Sequence, residues 1–172
     1  MGGCASKGLN SGIRNLARAA LVFLLLLSII CMSSCQRSVE AYKLMTELCY
    51  AYGIDRVIFS PSVKEGEEGY CPDGFLDSVF GDISESVSDY ALLFISDLFS
   101  VGECAILVCY STYDAIAVTE AALMRLELLR TESGGLDISA LEGAFVERSG
   151  RTVILCALPD NDRARRLVRK II

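Results

Sequence analysis

The chain opens polar and basic, turns apolar without a break, and only then settles into alternating apolar and polar positions. From Ala19 to Met32 it reads AALVFLLLLSIICM, and no charge falls between Arg18 and Arg37. From Arg37 to Tyr52 apolar residues recur at three- and four-residue spacing, which predicts a helix with Tyr42, Met45, Cys49 and Tyr52 on one face. Gly53 sits where a helix-ending glycine belongs. Asp55 to Ser60 is a short strand candidate stopped by Pro61. Residues 62–74, with Gly66, Gly69, Pro72 and Gly74 among charged neighbours, read as a loop. Phe75 to Phe80 makes a short helix that Gly81 ends.

The second half alternates more clearly. Asp89 to Ser96 and Glu103 to Tyr110 read as buried strands, and the link through Gly102 makes them a hairpin. Ser111-x-x-Asp114 is a capping box for a helix reaching about Thr131, with Val118, Ala122, Leu126 and Leu129 as its apolar stripe. Ile138 to Leu141 adds one turn. Ala144 to Glu147 and Thr152 to Leu158 form a second hairpin around Ser149-Gly150. Pro159-Asp160 starts a last helix with Ala164, Leu167, Val168 and Ile171 inward. Its acids, Asp160 and Asp162, lie in the first turn and Arg169 and Lys170 in the last, as the helix dipole favours.

This order, β-β-α-β-β-α behind an N-terminal helical arm, predicts an α+β fold. The expected sheet is mainly antiparallel, of about four strands, with helices packed on one face. One strand complicates that picture. Ala105, Leu107 and Cys109 alternate with Ile106 and Val108, so both of its faces are apolar. Something must cover the second face. The helix over 37–52 is the expected cover, and a partner protein is the rival.

The apolar run near the start changes the expected location. Lys7, Arg14 and Arg18 precede it, and Ser33 and Ser34 separate it from Cys35. A basic start, a short apolar core and small residues before a cleavage position make an export signal. Met32-Ser-Ser-Cys35 resembles the lipobox of bacterial lipoproteins, in which the cysteine thiol is acylated and becomes the new N-terminus. The expected organisation is a signal over 1–34, a lipid-attachment site and helical arm over 35–54, and one domain over 55–172. Such a protein would sit on the extracytoplasmic face of the cell membrane, anchored by a lipid on Cys35. The 14-residue run is short for a transmembrane helix, which takes ~20 apolar residues. Kept uncleaved, it would rely on snorkelling flanks. A competing anchor lies at the very start, where Gly2 and Ser6 fit N-myristoylation and Cys4 could take palmitate. Dual acylation would make an inner-leaflet regulator.

Removing 34 of the 172 residues leaves 138, enough for one domain with a real core. Lys7, Arg14 and Arg18 leave with the signal while every acid stays, so the net charge moves from −6 to −9. That acidity speaks against nucleic acid as a partner. It also leaves the anchoring to the lipid rather than to headgroup charge. Histidine is absent, which excludes His-dependent triads, Cys-His dyads and His metal ligands.

Of the eight cysteines, Cys49, Cys71, Cys104, Cys109 and Cys156 lie beyond the lipid site, and none has C-x-x-C spacing. Cys104 and Cys109 point to opposite faces of one strand, and Cys109 and Cys156 could face each other on neighbouring strands. The plain reading is that all three are small buried hydrophobes. Cys71, in its loop, is the thiol expected to be exposed. It has no base, and Glu67, Glu68 and Asp73 nearby would raise its pKa. Glu65, Glu67, Glu68, Asp73 and Asp77 do not follow the spacing of a calcium loop and read as solvated. No phosphate-binding glycine loop or Gly-x-Ser-x-Gly elbow occurs. No catalytic, cofactor or metal residue is assigned. The expected role is a non-enzymatic binding or structural module, with an enzyme using Cys71 or a carboxylate pair as the alternative. Arg163, Arg165, Arg166, Arg169 and Lys170 form the candidate partner surface, for an envelope protein or an anionic polymer.

A family resemblance agrees with this reading. Val57-Ile-Phe-Ser-Pro61, Gly66-x-x-Gly69-Tyr70, Phe75-Leu76 and Phe80-Gly81 resemble the opening of a domain of unknown function found in clostridial lipoproteins. The likeness continues through Asp89-Tyr-Ala-Leu-Leu93, Glu103-Cys-Ala-Ile-Leu-Val-Cys109 and Arg125-Leu-Glu-Leu-Leu-Arg130. It closes on Gly150-Arg-Thr-Val-Ile-Leu-Cys-Ala-Leu-Pro-Asp-Asn161. It covers most of residues 55–172. The resemblance implies a short exported lipoprotein and carries no activity.

Overall fold

A computed structural model of the chain describes residues 40–95, 101–132 and 137–171. The expected export signal and the lipid-attachment residue Cys35 lie outside the described residues. In chain order the elements are α1 (Ala41–Tyr52), β1 (Ile58–Phe59), α2 (Phe75–Phe80), β2 (Val87–Phe94), β3 (Glu103–Cys109), α3 (Asp114–Glu132), α4 (Ser139–Glu142), β4 (Phe145–Ser149), β5 (Thr152–Ala157) and α5 (Asn161–Ile171). The strands form one antiparallel sheet in the order β1-β2-β3-β5-β4. The fold class is α+β, as the pattern predicts. None of the helices among the described residues is long and apolar enough to cross a membrane.

The sheet has five strands because the 55–60 segment joins it, though only Ile58 and Phe59 pair, opposite Leu93 and Leu92. Pro61, with no N–H to give, stops the ladder. Packing keeps this short edge in place. The Phe59 ring stacks on Phe75 at 5.5 Å and meets Phe94 edge-on at 5.6 Å.

The helices do not share one face. β3 and β5 are buried along their whole length, so each face of the sheet needs its own cover. On one face Leu92, Ala105, Leu107, Val153 and Leu155 pack against α2 and α3, through Leu76, Phe80, Val118, Ala122 and Leu126. On the other, Ala91, Leu93, Cys104, Ile106 and Ile154 pack against α1 and α5, through Leu44, Met45, Leu48, Ala164 and Val168. The N-terminal helix therefore covers the second face, together with the last helix. Its buried stripe is Ala41, Leu44, Met45, Leu48 and Cys49; of the expected face, Met45 and Cys49 turn in and Tyr52 packs beside them, whereas Tyr42 is exposed. The aliphatic residues give up no hydroxyl hydration on burial, so they win the inward positions.

Local signals set the helix ends. Gly53 takes a left-handed φ of 66°, and the N–H groups of Gly53 and Ile54 reach back to the carbonyls of Tyr50 and Cys49. At α3 the Ser111 hydroxyl accepts the Asp114 N–H at 3.1 Å and donates to its carboxylate at 2.6 Å. At α5 the Asp160 carboxylate accepts the Arg163 N–H at 2.9 Å.

The 62–74 loop is folded down onto β1. Gly69 has φ +94°, and a Cβ there would lie 2.3 Å from the Ile58 carbonyl oxygen. Its own carbonyl accepts the Ser60 N–H at 3.1 Å. Gly69→Ala meets both a forbidden φ and a backbone clash, and is expected to cost about 2–4 kcal/mol. Urea denaturation of the variant measures this, and an unchanged midpoint would mean the loop is not docked.

Candidate functional site

All five described thiols are buried and free. Cys104, Cys109 and Cys156 are wholly enclosed, because their strands are covered on both faces. Burial pushes the Cys49 thiol up. The Cys109 thiol is pushed to about 11, by burial first and the nearby Asp114 next, with Arg151 opposing. Cys104 is raised well above the ordinary thiol value, chiefly by its hydrogen bond with Cys156 and then by burial. A nucleophilic cysteine needs the opposite, an accessible and stabilised thiolate.

Cys71 is only 8% exposed, contrary to its expected place on an open loop. Docking of the 62–74 loop turns it inward, where it meets the Tyr90 hydroxyl. Its pKa is raised, and the cause is burial rather than the neighbouring acids, with the Tyr90 hydrogen bond pulling the other way. Cys109 and Cys156 do not face each other. Cys109 lies on the α3 side of the sheet and Cys156 on the α1 side, where its register partner is Cys104.

The sheet and α3 are joined by an ion pair with a buried acid. Glu103, 1% exposed, heads β3. The Arg125 guanidinium meets it as a fork, with Nη2 2.7 Å from Oε2 and Nε 3.1 and 3.2 Å from the two oxygens. Both oxygens are committed, so this carboxylate is a clamp between sheet and helix. Sequence reasoning missed the pair, although its signal was present. Arg125 falls three residues after Ala122 and four before Leu129, on the apolar stripe itself, and Glu103 is a lone acid heading an otherwise apolar strand.

A second carboxylate with several partners is Asp77. Its Oδ1 accepts the Ile83 and Ser84 N–H groups at 3.0 and 2.8 Å, and its Oδ2 accepts the Ser84 hydroxyl at 2.7 Å. The Ser84 hydroxyl bond, first, holds this carboxyl below the usual range against the opposing effect of burial, and the two amides add to it. Asp77 thus fixes the turn into β2. Among the described residues no three Cys, Asp or Glu side chains converge as a metal site.

The basic residues of the last helix are partly spent on the fold. Arg163 lies over the Tyr52 ring at 4.9 Å and donates to the Ala51 carbonyl at 2.5 Å. Arg165 lies over Phe145 at 4.6 Å and 3.4 Å from Glu147, which Arg169 also meets at 2.9 Å. Arg166 and Lys170 are exposed. Arg163 and Arg169 are exposed as well, but they and Arg165 are tied to α1 and β4, so Arg166 and Lys170 are the two with no such tie among the described residues.

Two exposed apolar features were not foreseen. The outer side of α3 carries Ile116, Leu123, Met124 and Leu128, all solvent-exposed. At the end of the sheet where β3 leaves, Tyr110 and Tyr113 stand 62% and 81% exposed. Compared with protein-family models, with curated proteins and with solved structures, the chain shows no match.

Proposed function

We propose that this chain is a non-catalytic, lipid-anchored module on the extracytoplasmic face of the cell membrane, resting on the bilayer through the end of the sheet that bears Tyr110 and Tyr113. The observation that carries this reading is where α1 starts. The Ala41 N–H donates to the Asp89 carboxylate at 2.9 Å, which fixes the helix start beside the beginning of β2. That is the same end of the sheet, since Tyr110 N–H bonds the Ser86 carbonyl at 3.1 Å and Val87 pairs with Cys109. From Cys35 to Ala41 an extended chain reaches at most ~20 Å. A lipid on Cys35 would hold this end near the headgroups, where tyrosine rings are favoured. The lipobox and the likeness to clostridial lipoproteins support the same location. Buried thiols, and the Glu103 and Asp77 carboxylates committed to the fold, support a non-catalytic role.

Labelling with a fatty-acid analogue tests the anchor. The wild-type chain is expected to take the label, and Cys35→Ser to lose it and stay at precursor length. Gly2→Ala and Cys4→Ser should label as wild type. If label survives Cys35→Ser and disappears with Gly2→Ala, the chain is an inner-leaflet protein instead.

A further inference from the structure

Cys104 and Cys156 are register partners on β3 and β5. Antiparallel strands alternate between hydrogen-bonded pairs and closer, non-hydrogen-bonded pairs. The alternation along β3 is fixed at both ends. Cys109 N–H donates to the Arg151 carbonyl at 2.8 Å, so position 109 bonds toward β5, and so do 107, 105 and 103. At the other end Ile95 and Gly102 exchange bonds of 2.7 and 3.0 Å, so 102, and with it 104, bonds toward β2. Both counts make Cys104 and Cys156 a non-hydrogen-bonded pair, with Cα atoms ~4.5 Å apart. A disulfide accepts Cα separations of ~4.4–6.8 Å. Both side chains lie on the α1 face, and the two thiols bond each other. Cys49, on α1, belongs to the same cluster, whereas Cys109 lies beyond the sheet.

We propose that Cys104 and Cys156 close a cross-strand disulfide as the chain folds in the presence of a small-molecule disulfide, and that α1 then seals the bond. One cysteine, as thiolate, attacks the oxidant, forms a mixed disulfide and releases one thiol. The second cysteine displaces the other half as a second thiol. The protein loses two protons and two electrons, and the oxidant gains them. Since both residues are 0% exposed, the exchange belongs to the chain before α1 seats on the sheet. The folded reduced protein reacts only as fast as α1 lifts. The bond spans residues 104 to 156, so it removes a long loop's freedom from the unfolded state. This inference goes beyond the proposed function and stands wherever the protein resides.

The test uses the full-length chain in detergent, refolded from denaturant with oxidised glutathione. Peptide mapping of the wild-type chain should find the segments holding Cys104 and Cys156 joined. The urea midpoint should rise on oxidation, and reductant should reverse it only after unfolding. Cys104→Ala and Cys156→Ala should each abolish the link, whereas Cys71→Ala and Cys109→Ala should keep it. A link from Cys49 to either residue in its place would overturn the inference. So would alkylation of both Cys104 and Cys156 after oxidative refolding, or a linked product with a lower midpoint.

Discussion

Arg125→Leu should destabilise the domain by about 3–5 kcal/mol, because it leaves the Glu103 carboxylate buried without its partner. A small domain has only ~5–15 kcal/mol in hand, so this single change brings it near unfolding at ordinary temperature. The geometry explains the size. Glu103 is 1% exposed, and the Arg125 guanidinium bonds both of its oxygens. The informative companion is the double variant Glu103→Leu, Arg125→Leu. With both charges gone, no group is left desolvated, and stability should return to within ~1 kcal/mol of wild type or exceed it. Urea denaturation followed by circular dichroism reads all four corners of this cycle. A single-variant cost below ~1 kcal/mol would mean that water reaches the carboxylate.

Deleting residues 36–53 should have a larger effect still. It strips α1 from the sheet and exposes Ala91, Leu93, Cys104, Ile106 and Ile154 as one apolar face. Each buried Leu or Met side chain of α1 contributes ~1.5–3 kcal/mol, so the loss rivals the whole stability of the domain. Light scattering after size-exclusion chromatography should show aggregates in place of the species formed by the intact chain. A truncated chain that stayed monodisperse and equally stable would reduce α1 to a tether.

The sheet was legible because β3 is apolar at every second position on both faces, a pattern that demands two covers. The identity of the second cover was legible too, since α1 is the amphipathic segment left over. Its rotation was legible in part. Met45 and Cys49 turn in as their spacing predicts and Tyr52 packs beside them, but Tyr42 does not, and only the packed sheet decides that Ala41, Leu44 and Leu48 complete the stripe. The one-face arrangement failed for a related reason: periodicity says that α5 has an apolar stripe, but not which side of the sheet receives it. Cys71 was misplaced because glycines and charges mark a loop without saying whether it docks, and the docking depends on Gly69 lying against Ile58. The partner of Cys156 depended on register. β5 and β3 are neighbours, but no turn joins them, so only their long-range pairing, from Glu103 opposite Ala157 to Val108 opposite Thr152, brings Cys104 rather than Cys109 opposite Cys156. Glu103 and Arg125 were legible as exceptions to two apolar patterns, though neither alone named the other.

The clasp between α1 and α5 joins residues far apart in the chain. The Tyr52 hydroxyl donates to the Asp160 carbonyl at 2.5 Å, and Arg163 reaches Ala51 across 112 positions. These contacts set an order of events during synthesis. The helix made first must wait for the one made last before their shared face can close. Until then Cys104, Ile106 and Ile154 stay open to solvent and chaperones, and the chain remains pliable. Under the proposed export, in which the chain is threaded through a membrane from its N-terminus, that delay would keep it fit for passage until the helix made last is complete.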